Sequence, residues 1–265
     1  MKLRRKIGMF CALVLAVCFA AGAMAGCKDK DKTLVVGITE YEPMDYKDAD
    51  GEWKGFDYEL AKSVLGELGY KVKFTLIDWE TKIMALKARE IDVIWNGMTV
   101  TEELQENILL SDTYLQNRQY GVVKTQDANT YTSVASLASA SVAVEAGSAA
   151  QNLLTKEDNT YLCKKLIKAE NQNKALLEVA SNAADVAVVD YLLAKSLTEN
   201  TASSYYGKLV AADLGFAPEN FAIGFRKSDT SLCAAVNEKI AAFYADGTIA
   251  ALAKKYGIEN QLVAE

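Results

Sequence analysis

The 265-residue chain contains no histidine, and this absence excludes several kinds of chemistry. Ser-His-Asp catalysis and Cys-His nucleophiles need an imidazole base, and most zinc sites need an imidazole ligand. The chain also lacks the GxxxxGK(S/T) loop that cradles phosphates and the GxGxxG turn that binds dinucleotides. We therefore expect no catalytic residue, no metal ion and no cofactor.

Cysteine and positive charge are also scarce. After Cys27 only Cys163 and Cys233 remain, without metal-ligand spacing, and we expect two buried free thiols rather than a disulfide. The whole chain has 29 basic and 35 acidic residues, and four of the basic ones precede residue 27, so the remainder carries a net charge of −10. This acidity argues against nucleic acid as a partner.

The first 26 residues have the pattern of a bacterial export signal, in which a basic start precedes an apolar run and then small residues. The apolar run over residues 7–20 is shorter than the roughly 20 residues that span a bilayer, so a permanent anchor is disfavoured. Two cleavage sites compete. "AMAGC" resembles a lipobox, which would leave a lipidated Cys27, whereas residues 23–25 suit an ordinary signal peptidase. Because the polar "CKDKDK" of residues 27–32 suits a tether, we favour a lipid-anchored protein on the extracellular face of the membrane or in the periplasm.

From Thr33 onward, short apolar runs alternate with amphipathic helical stretches. "TLVVGI", "IDVIW" and "DVAVVD" are typical of buried strands, and "FDYELAKSVLGELG" places its leucines on one face of a helix. Strands that alternate with helices predict an α/β fold with a largely parallel sheet. Residues 113–121 and 214–220 are predicted to cross between two lobes, with two ordinary loops as the alternative.

Several motifs, in one order, resemble a known family. "LVVGITEYEPMDYKDADGEWKGFDYELAKSVLGELG", "IDVIWNGMTVTEE", "LLSDTY" and the closing "NFAIGFRKSDTSLCAAVNEKIAAFYADGTIAALAKKYG" are similar to the polar amino-acid class of bacterial extracellular solute-binding proteins. The resemblance covers roughly residues 33–258. It implies a two-lobed periplasmic-binding-protein-like fold with two crossover hinge strands. Each lobe would be a mostly parallel sheet flanked by helices.

The resemblance also implies a function and a division of the chain. A monomer would close around a small amino acid by hinge motion and deliver it to an ABC permease, without a chemical step. Lobe 1 would comprise residues 33–114 and 220–265, and lobe 2 residues 115–219. Three alternatives stay open: a receptor for a small amine, a ligand-sensing module, and an enzyme related to the dehydratases of cyclic acids.

The family's pattern places ligand contacts on both lobes. Tyr41 and Trp79 match aromatic positions that sandwich the ligand, where a cation gains about 0.5–2 kcal/mol, with core packing as the alternative. A polar turn after the strand "IDVIW" matches the contacts to the ligand's amino and carboxylate groups, with simple capping by Thr101 as the alternative. This turn comprises Asn96, Gly97, Met98 and Thr99.

Lobe 2 would supply a helix start and two carboxylates. The amides of Gly147, Ser148 and Ala149 resemble a helix N-terminus that faces the ligand carboxylate. Asp190 matches the partner of the ligand's α-ammonium group, and its alternative role is a helix cap. Glu145 either faces the cleft or lies on the surface.

Leu104 departs from the family's pattern, because relatives usually carry an arginine here that forms a forked bond to the ligand carboxylate. Loss of one partner of such a buried pair typically costs about 2–5 kcal/mol. Binding of an amino acid through amides alone, binding of a small amine held by Asp190 with Glu145 and Glu40, and impaired binding all remain open. Arg118 is a weak candidate to substitute. We expect a cleft rich in negative charge that favours basic or neutral polar ligands.

Overall fold

The computed structural model describes residues 32–263. The predicted export signal and the lipidation of Cys27 lie outside the described residues. From Thr33 the chain forms one compact unit. Among the described residues, no helix combines the length and the apolar character needed to cross a bilayer.

Strands and helices alternate along the described chain as the periodicity predicts. The strands are β1 (Thr33–Ile38), β2 (Tyr46–Lys47), β3 (Trp53–Lys54), β4 (Lys71–Leu76), β5 (Val93–Thr99), β6 (Leu109–Leu110), β7 (Leu115–Lys124), β8 (Ser141–Glu145), β9 (Lys165–Ala169), β10 (Val186–Asp190), β11 (Leu209–Ala212) and β12 (Pro218–Phe225). The α-helices are α1 (Phe56–Glu67), α2 (Lys82–Lys87), α3 (Glu102–Asn107), α4 (Ala149–Leu154), α5 (Gln172–Ala180), α6 (Tyr191–Glu199), α7 (Thr230–Ala245) and α8 (Thr248–Lys255).

The main sheet has the order β4-β1-β5-β12-β7-β10-β8-β9, with β6 paired to β12 and β11 paired to β7. We call β4, β1, β5, β12 and β6 the first half-sheet, and β7, β10, β8, β9 and β11 the second half-sheet. Strand pairs β1–β4, β1–β5, β8–β10 and β8–β9 are parallel, whereas every pair formed by β7 or β12 is antiparallel. The fold is therefore α/β, with two parallel blocks joined by antiparallel strands.

Strand β7 joins the two half-sheets. Its residues 115–118 pair with β12, and its residues 119–123 pair with β10. The second predicted crossing, residues 214–220, leads from β11 into β12. Pro218 pairs with Arg118 at the start of β12, where its missing N–H is tolerated.

The core lies on both faces of the sheet. Strand β10 is buried along its whole length, as expected for a strand covered by helices on both sides. Trp95 is fully buried, and its ring meets that of Tyr114 edge-on at 6.4 Å. Cys163 and Cys233 are buried free thiols, which confirms that expectation.

One local prediction is wrong. The polar turn predicted to begin at Asn96 is strand, because β5 continues to Thr99. The pairs Phe221–Thr99 and Ala222–Met98 extend the ladder beyond the apolar part of the strand. The neighbouring β12 satisfies the backbone groups that a turn would otherwise expose.

Candidate functional site

The predicted contact residues converge on a small cavity of about 30 Å³ where the two half-sheets meet. Eleven of them line it: Trp79, Asn96, Gly97, Met98, Thr99, Leu104, Glu145, Gly147, Ser148, Ala149 and Asp190. Glu40 and Tyr41 are not among the lining residues. Strand ends and helix starts thus bring together residues that are up to 111 positions apart, from Trp79 to Asp190.

Asp190 ends β10 and is held by side-chain amides. Its Oδ1 accepts from Asn117 Nδ2 at 2.6 Å and from Gln119 Nε2 at 2.7 Å. Its Oδ2 accepts from Gln172 Nε2, and the Asp190 N–H donates to Gln172 Oε1 at 2.9 Å. The carboxylate does not cap α6, although Asp190 stands at that helix's N-cap position. The structure therefore does not support the alternative in which the Asp190 side chain caps the helix.

Glu219 on β12 is the electrostatic neighbour of Asp190. Asn117 and Gln119 also donate to Glu219 Oε1, at 2.7 and 2.6 Å, so both acids share the same two amide donors. Burial, followed by the charge of Glu219, raises the pKa of Asp190 to about 7. A cation beside Asp190 would lower that pKa again, because opposite charge favours the ionised form.

Glu145 faces the cavity rather than the surface. It ends β8 and is 2% exposed, and its Oε1 has no hydrogen-bond partner within the described part of the chain. Burial, followed by the charge of Asp190, raises the pKa of Glu145 well above its usual range. A buried carboxyl oxygen without a partner is costly, so this atom is suited to a donor brought by a ligand.

Leu104 lines the cavity and belongs to a buried apolar cluster with Trp79 and Met98. Its backbone N–H donates to Thr101 Oγ1 at 3.2 Å, which confirms Thr101 as the cap of α3. The position of Leu104 is therefore inside the cavity, and its side chain is apolar. Arg118 lies elsewhere and pairs with Asp213 at 3.7 Å, with both side chains well exposed.

The end of β5 is held in place by buried polar contacts. Asn96 pairs reciprocally with Thr39: Thr39 N–H donates to Asn96 Oδ1 at 2.8 Å and Asn96 Nδ2 donates to Thr39 Oγ1 at 2.9 Å. Gly97 has φ +55°, and its N–H donates to Asp57 Oδ2 at 2.6 Å. A Cβ on Gly97 would lie 2.7 Å from Tyr41 Cε1, so the backbone needs glycine here.

The loop before α4 is close to the first half-sheet. Gly147 has φ +69°, and a Cβ there would lie 2.6 Å from Glu80 Cα. Its N–H donates to Gln151 Oε1 at 3.1 Å, and the Ser148 N–H donates to the Glu145 carbonyl at 3.3 Å. Two of the three amides predicted to face the ligand carboxylate therefore already have acceptors.

Tyr41 lies behind the cavity wall. It is 1% exposed, and its hydroxyl has no hydrogen-bond partner among residues 32–263. Burial, followed by the charge of Asp190, raises the pKa of Tyr41 well above its usual range. Glu40 accepts through its backbone carbonyl from Asn173 Nδ2 at 3.2 Å. Both residues therefore flank the site without lining the cavity.

Lys82 is the principal residue that sequence reasoning missed. It begins α2, is 7% exposed and lines the cavity. Its Nζ donates to the carbonyls of Trp79 at 3.0 Å and Gly147 at 2.8 Å, and lies 4.8 Å from the centre of the Trp79 ring. The stretch "ETKIMALKA" predicts a helix, and helical spacing alone would place a lysine on its solvated side.

The family model for bacterial extracellular solute-binding proteins, family 3, matches residues 34–259. The chain is 28% identical over 260 residues to the histidine-binding periplasmic protein of Salmonella typhimurium, covering 95% of this chain and 96% of that one. It is 26% identical over 249 residues to the arginine-binding extracellular protein ArtP of Bacillus subtilis, covering 92% and 93%. The matches therefore extend over nearly the full length of both relatives.

Solved structures share the fold. A substrate-binding protein of an ABC uptake transporter from Streptococcus pneumoniae, with bound histidine, matches with a TM-score of 0.78 and 27% identity, covering 88% of this chain and 95% of that one. An ancestral amino acid-binding protein, described as a precursor of cyclohexadienyl dehydratase, matches with a TM-score of 0.74 and 32% identity, covering 84% and 95%. Both support the two-lobed architecture.

Proposed function

The chain belongs to the bacterial extracellular solute-binding proteins, family 3, and from this membership we propose that it captures an amino acid with a basic or neutral polar side chain. The captured amino acid is delivered to the permease of an ABC importer. The proposal is supported by relatives that bind histidine and arginine and by the acidic character of the cavity.

The observation that carries the preference is the charge of the cavity lining. Glu103, Glu145 and Asp190 face the cavity together with one cation, Lys82. A basic amino acid has two positive groups and one negative group, which complements this set. An acidic ligand would place a second carboxylate beside Glu145 and Asp190, and like charges in a buried site repel strongly.

Each carboxylate has a distinct role in this proposal. Asp190 receives the α-ammonium group, since three amide donors already orient it and an ionised carboxylate has about four acceptor sites. Glu145 receives the polar end of the ligand side chain through the oxygen that lacks a partner. Trp79 contributes an apolar and aromatic wall.

Closure is proposed to occur about the two crossings, with residues 33–114 and 220–265 as lobe 1 and residues 115–219 as lobe 2. The pairing of β7 with β12 at one end and with β10 at the other supports this division. Lys82 and Glu80 of lobe 1 contact Gly147 and Lys168 of lobe 2. These contacts between the two proposed lobes support a closed arrangement that would enclose the ligand.

A thermal-shift panel of the twenty amino acids tests the proposal. A ligand at 100 times its dissociation constant stabilises the native state by about 2.7 kcal/mol. We expect arginine, lysine, histidine or glutamine to raise the melting temperature. A shift caused by aspartate or glutamate alone would contradict the charge argument.

Two further parts of the proposal need their own experiments. We propose that the protein has no catalytic step, in view of binding-protein relatives. Because one structural neighbour is described as a dehydratase precursor, turnover of prephenate or arogenate would revive the enzyme alternative.

We also propose that a monomer is anchored by lipid at Cys27. Mass spectrometry of the exported protein, compared with the Cys27→Ala variant, would detect the acyl groups.

A small amine is the second candidate ligand, and the apolar side chain of Leu104 favours it. An amine needs Asp190 and Glu145 but no partner for a carboxylate. Agmatine, cadaverine and histamine belong in the thermal-shift panel beside arginine, lysine and histidine. Stabilisation by the amines, without stabilisation by the parent amino acids, would select this alternative.

A ligand-sensing role would instead be indicated by co-purification with a receptor kinase rather than with a permease.

A further inference from the structure

The site needs a cation for the ligand carboxylate, and its expected donors do not supply one. Leu104 is 3% exposed and packs against Trp79 and Met98. The N–H groups of Gly147 and Ser148 already donate to Gln151 Oε1 and to the Glu145 carbonyl. Of the three predicted amide donors, only that of Ala149 is left without such a contact among the described residues. One amide is a weak substitute for a guanidinium group.

Lys82 places an ammonium group in the same cavity. Its Nζ bridges the carbonyl of Trp79, on one side, and the carbonyl of Gly147, next to Ser148 and Ala149, on the other. An ammonium group has three N–H donors, and these two bonds use two of them. The third has no hydrogen-bond acceptor among the described residues, and Lys82 lines the same cavity as Leu104.

The surroundings of Lys82 indicate more than a structural lysine. None of the ion pairs formed by the described residues includes it. Burial lowers the pKa of Lys82 despite the opposing effect of Glu145, Glu103, Asp78 and Glu80, which raise it. Burial of an ammonium group without a direct anionic partner is unfavourable. A carboxylate inside the cavity would remove this penalty.

We propose that Lys82 binds the α-carboxylate of the ligand, replacing from α2 the arginine that relatives carry at the position of Leu104. The inference rests on the proposed function, because it requires an amino acid as ligand. It assigns the ligand's three charged groups to three residues: the carboxylate to Lys82, the α-ammonium to Asp190 and a basic side chain to Glu145. Leu104 then serves as an apolar wall that shields the Lys82 contact from water.

The test compares amino acids with their decarboxylated amines. Isothermal titration of arginine against agmatine, and of histidine against histamine, measures the contribution of the carboxylate. In Lys82→Met, which keeps an unbranched side chain one atom shorter and removes its charge, we expect at least a tenfold loss of affinity for the amino acid. This threshold is set below the roughly 30-fold loss at the lower end of the range for a buried charge pair. Affinity for the amine should change less than threefold.

Three further variants make the result specific. Lys82→Arg keeps the cation and should retain most of the preference for the amino acid over the amine. Lys87→Met removes an exposed lysine from the same helix and should leave both affinities unchanged. The double variant Lys82→Met/Leu104→Arg moves the positive charge to the family's usual position and should restore the preference. Circular dichroism melting curves verify that each variant is folded.

The outcomes separate this inference from the proposed function. Equal losses for amino acid and amine in Lys82→Met would show that Lys82 only joins the two lobes, and would overturn the inference while leaving amino-acid capture intact. Unchanged affinity for both would also overturn it. If the wild-type protein binds the amines but no amino acid, the proposed function fails first and the role of Lys82 fails with it.

Discussion

The two walls of the cavity differ in chemistry although both are built where strands end. The wall from the first half-sheet presents Trp79, Met98 and Leu104, which pack in one apolar cluster. The wall from the second half-sheet presents Glu145 and Asp190, both buried carboxylates with raised pKa values. In the proposed function, the apolar wall confers shape and the acidic wall selects charge. Two charged residues interrupt the apolar character of the first wall: Lys82 adds a cation and Glu103 adds a carboxylate.

The largest expected effect comes from removing the charge of Asp190, the carboxylate that accepts three amide hydrogen bonds. In Asp190→Asn, the ligand ammonium loses its anionic partner, and we expect affinity for any amino acid to fall by roughly 30-fold or more, the range for loss of one partner of a buried pair. Isothermal titration measures it. Asp185→Asn, at an exposed carboxylate before the same strand, is the matched control. Retained affinity in Asp190→Asn would refute the central contact.

A smaller and more selective effect is expected at Glu145. Glu145→Gln keeps the size of the side chain and removes its charge, so affinity for arginine should fall about tenfold while affinity for glutamine changes little. The ratio of the two affinities is the quantity to measure. Glu157→Gln, at an exposed position, controls for net charge. A parallel loss for both ligands would mean that Glu145 does not contact the ligand side chain.

The acidic wall also predicts a pH dependence. Asp190 has a pKa of about 7 without a cation beside it, and a bound ammonium group would lower that pKa. Binding near pH 7 should therefore release protons, and affinity should weaken as the pH falls from 8 to 6, by at most about tenfold per unit. Titrations in buffers of different ionisation enthalpy would detect the released protons.

Glu219 permits a control for the pH prediction. Its charge is the largest electrostatic contribution, after burial, that raises the pKa of Asp190. Glu219→Gln should shift the pH at which binding weakens to a lower value. A pH profile that is flat in the wild-type protein, or unchanged in this variant, would contradict the assignment of the titration to Asp190.

The smallest effect is expected outside the cavity, at the ion pair of Glu80 with Lys168. The two atoms are 3.1 Å apart, but the side chains are 50% and 46% exposed. Exposed pairs contribute about 0–1 kcal/mol. Lys168→Met should therefore change affinity less than about fivefold and should matter less at high salt. A loss comparable to that of Asp190→Asn would mean that lobe contacts, rather than the acidic wall, dominate binding.

Much of the fold follows from local patterns. Apolar runs of strand length and amphipathic helical stretches alternate in the sequence, and the structure forms its elements at these positions. The exceptions are informative. Asn96 and Gly97 have turn-like composition but lie in β5, because β12 pairs with that part of the strand. Strand β11 has no clear signal in the sequence because "LVAA" is short, and its pairing with β7 holds it in the sheet.

The candidate site could be predicted only in part. The resemblance to a family identified residues that converge on the cavity, and the position of Leu104 within it. It could not decide whether Glu145 faces inward, because a residue at the end of a strand can turn either way. It also missed Lys82, because charged residues in short helices are usually solvated. Its burial and the contacts of its ammonium group with the Trp79 and Gly147 carbonyls reveal its position.

Periodicity, motif order and charge are local or additive properties, so they specify the α/β architecture, the likeness to the solute-binding proteins and the acidity of the chain. The tertiary structure alone decided which charges share one cavity. Glu145 and Asp190 are 45 residues apart, and Lys82 is 65 residues from Gly147. These residues come close together because the two half-sheets are joined through β7. No local pattern in the sequence encodes a distance between such separate parts of a chain.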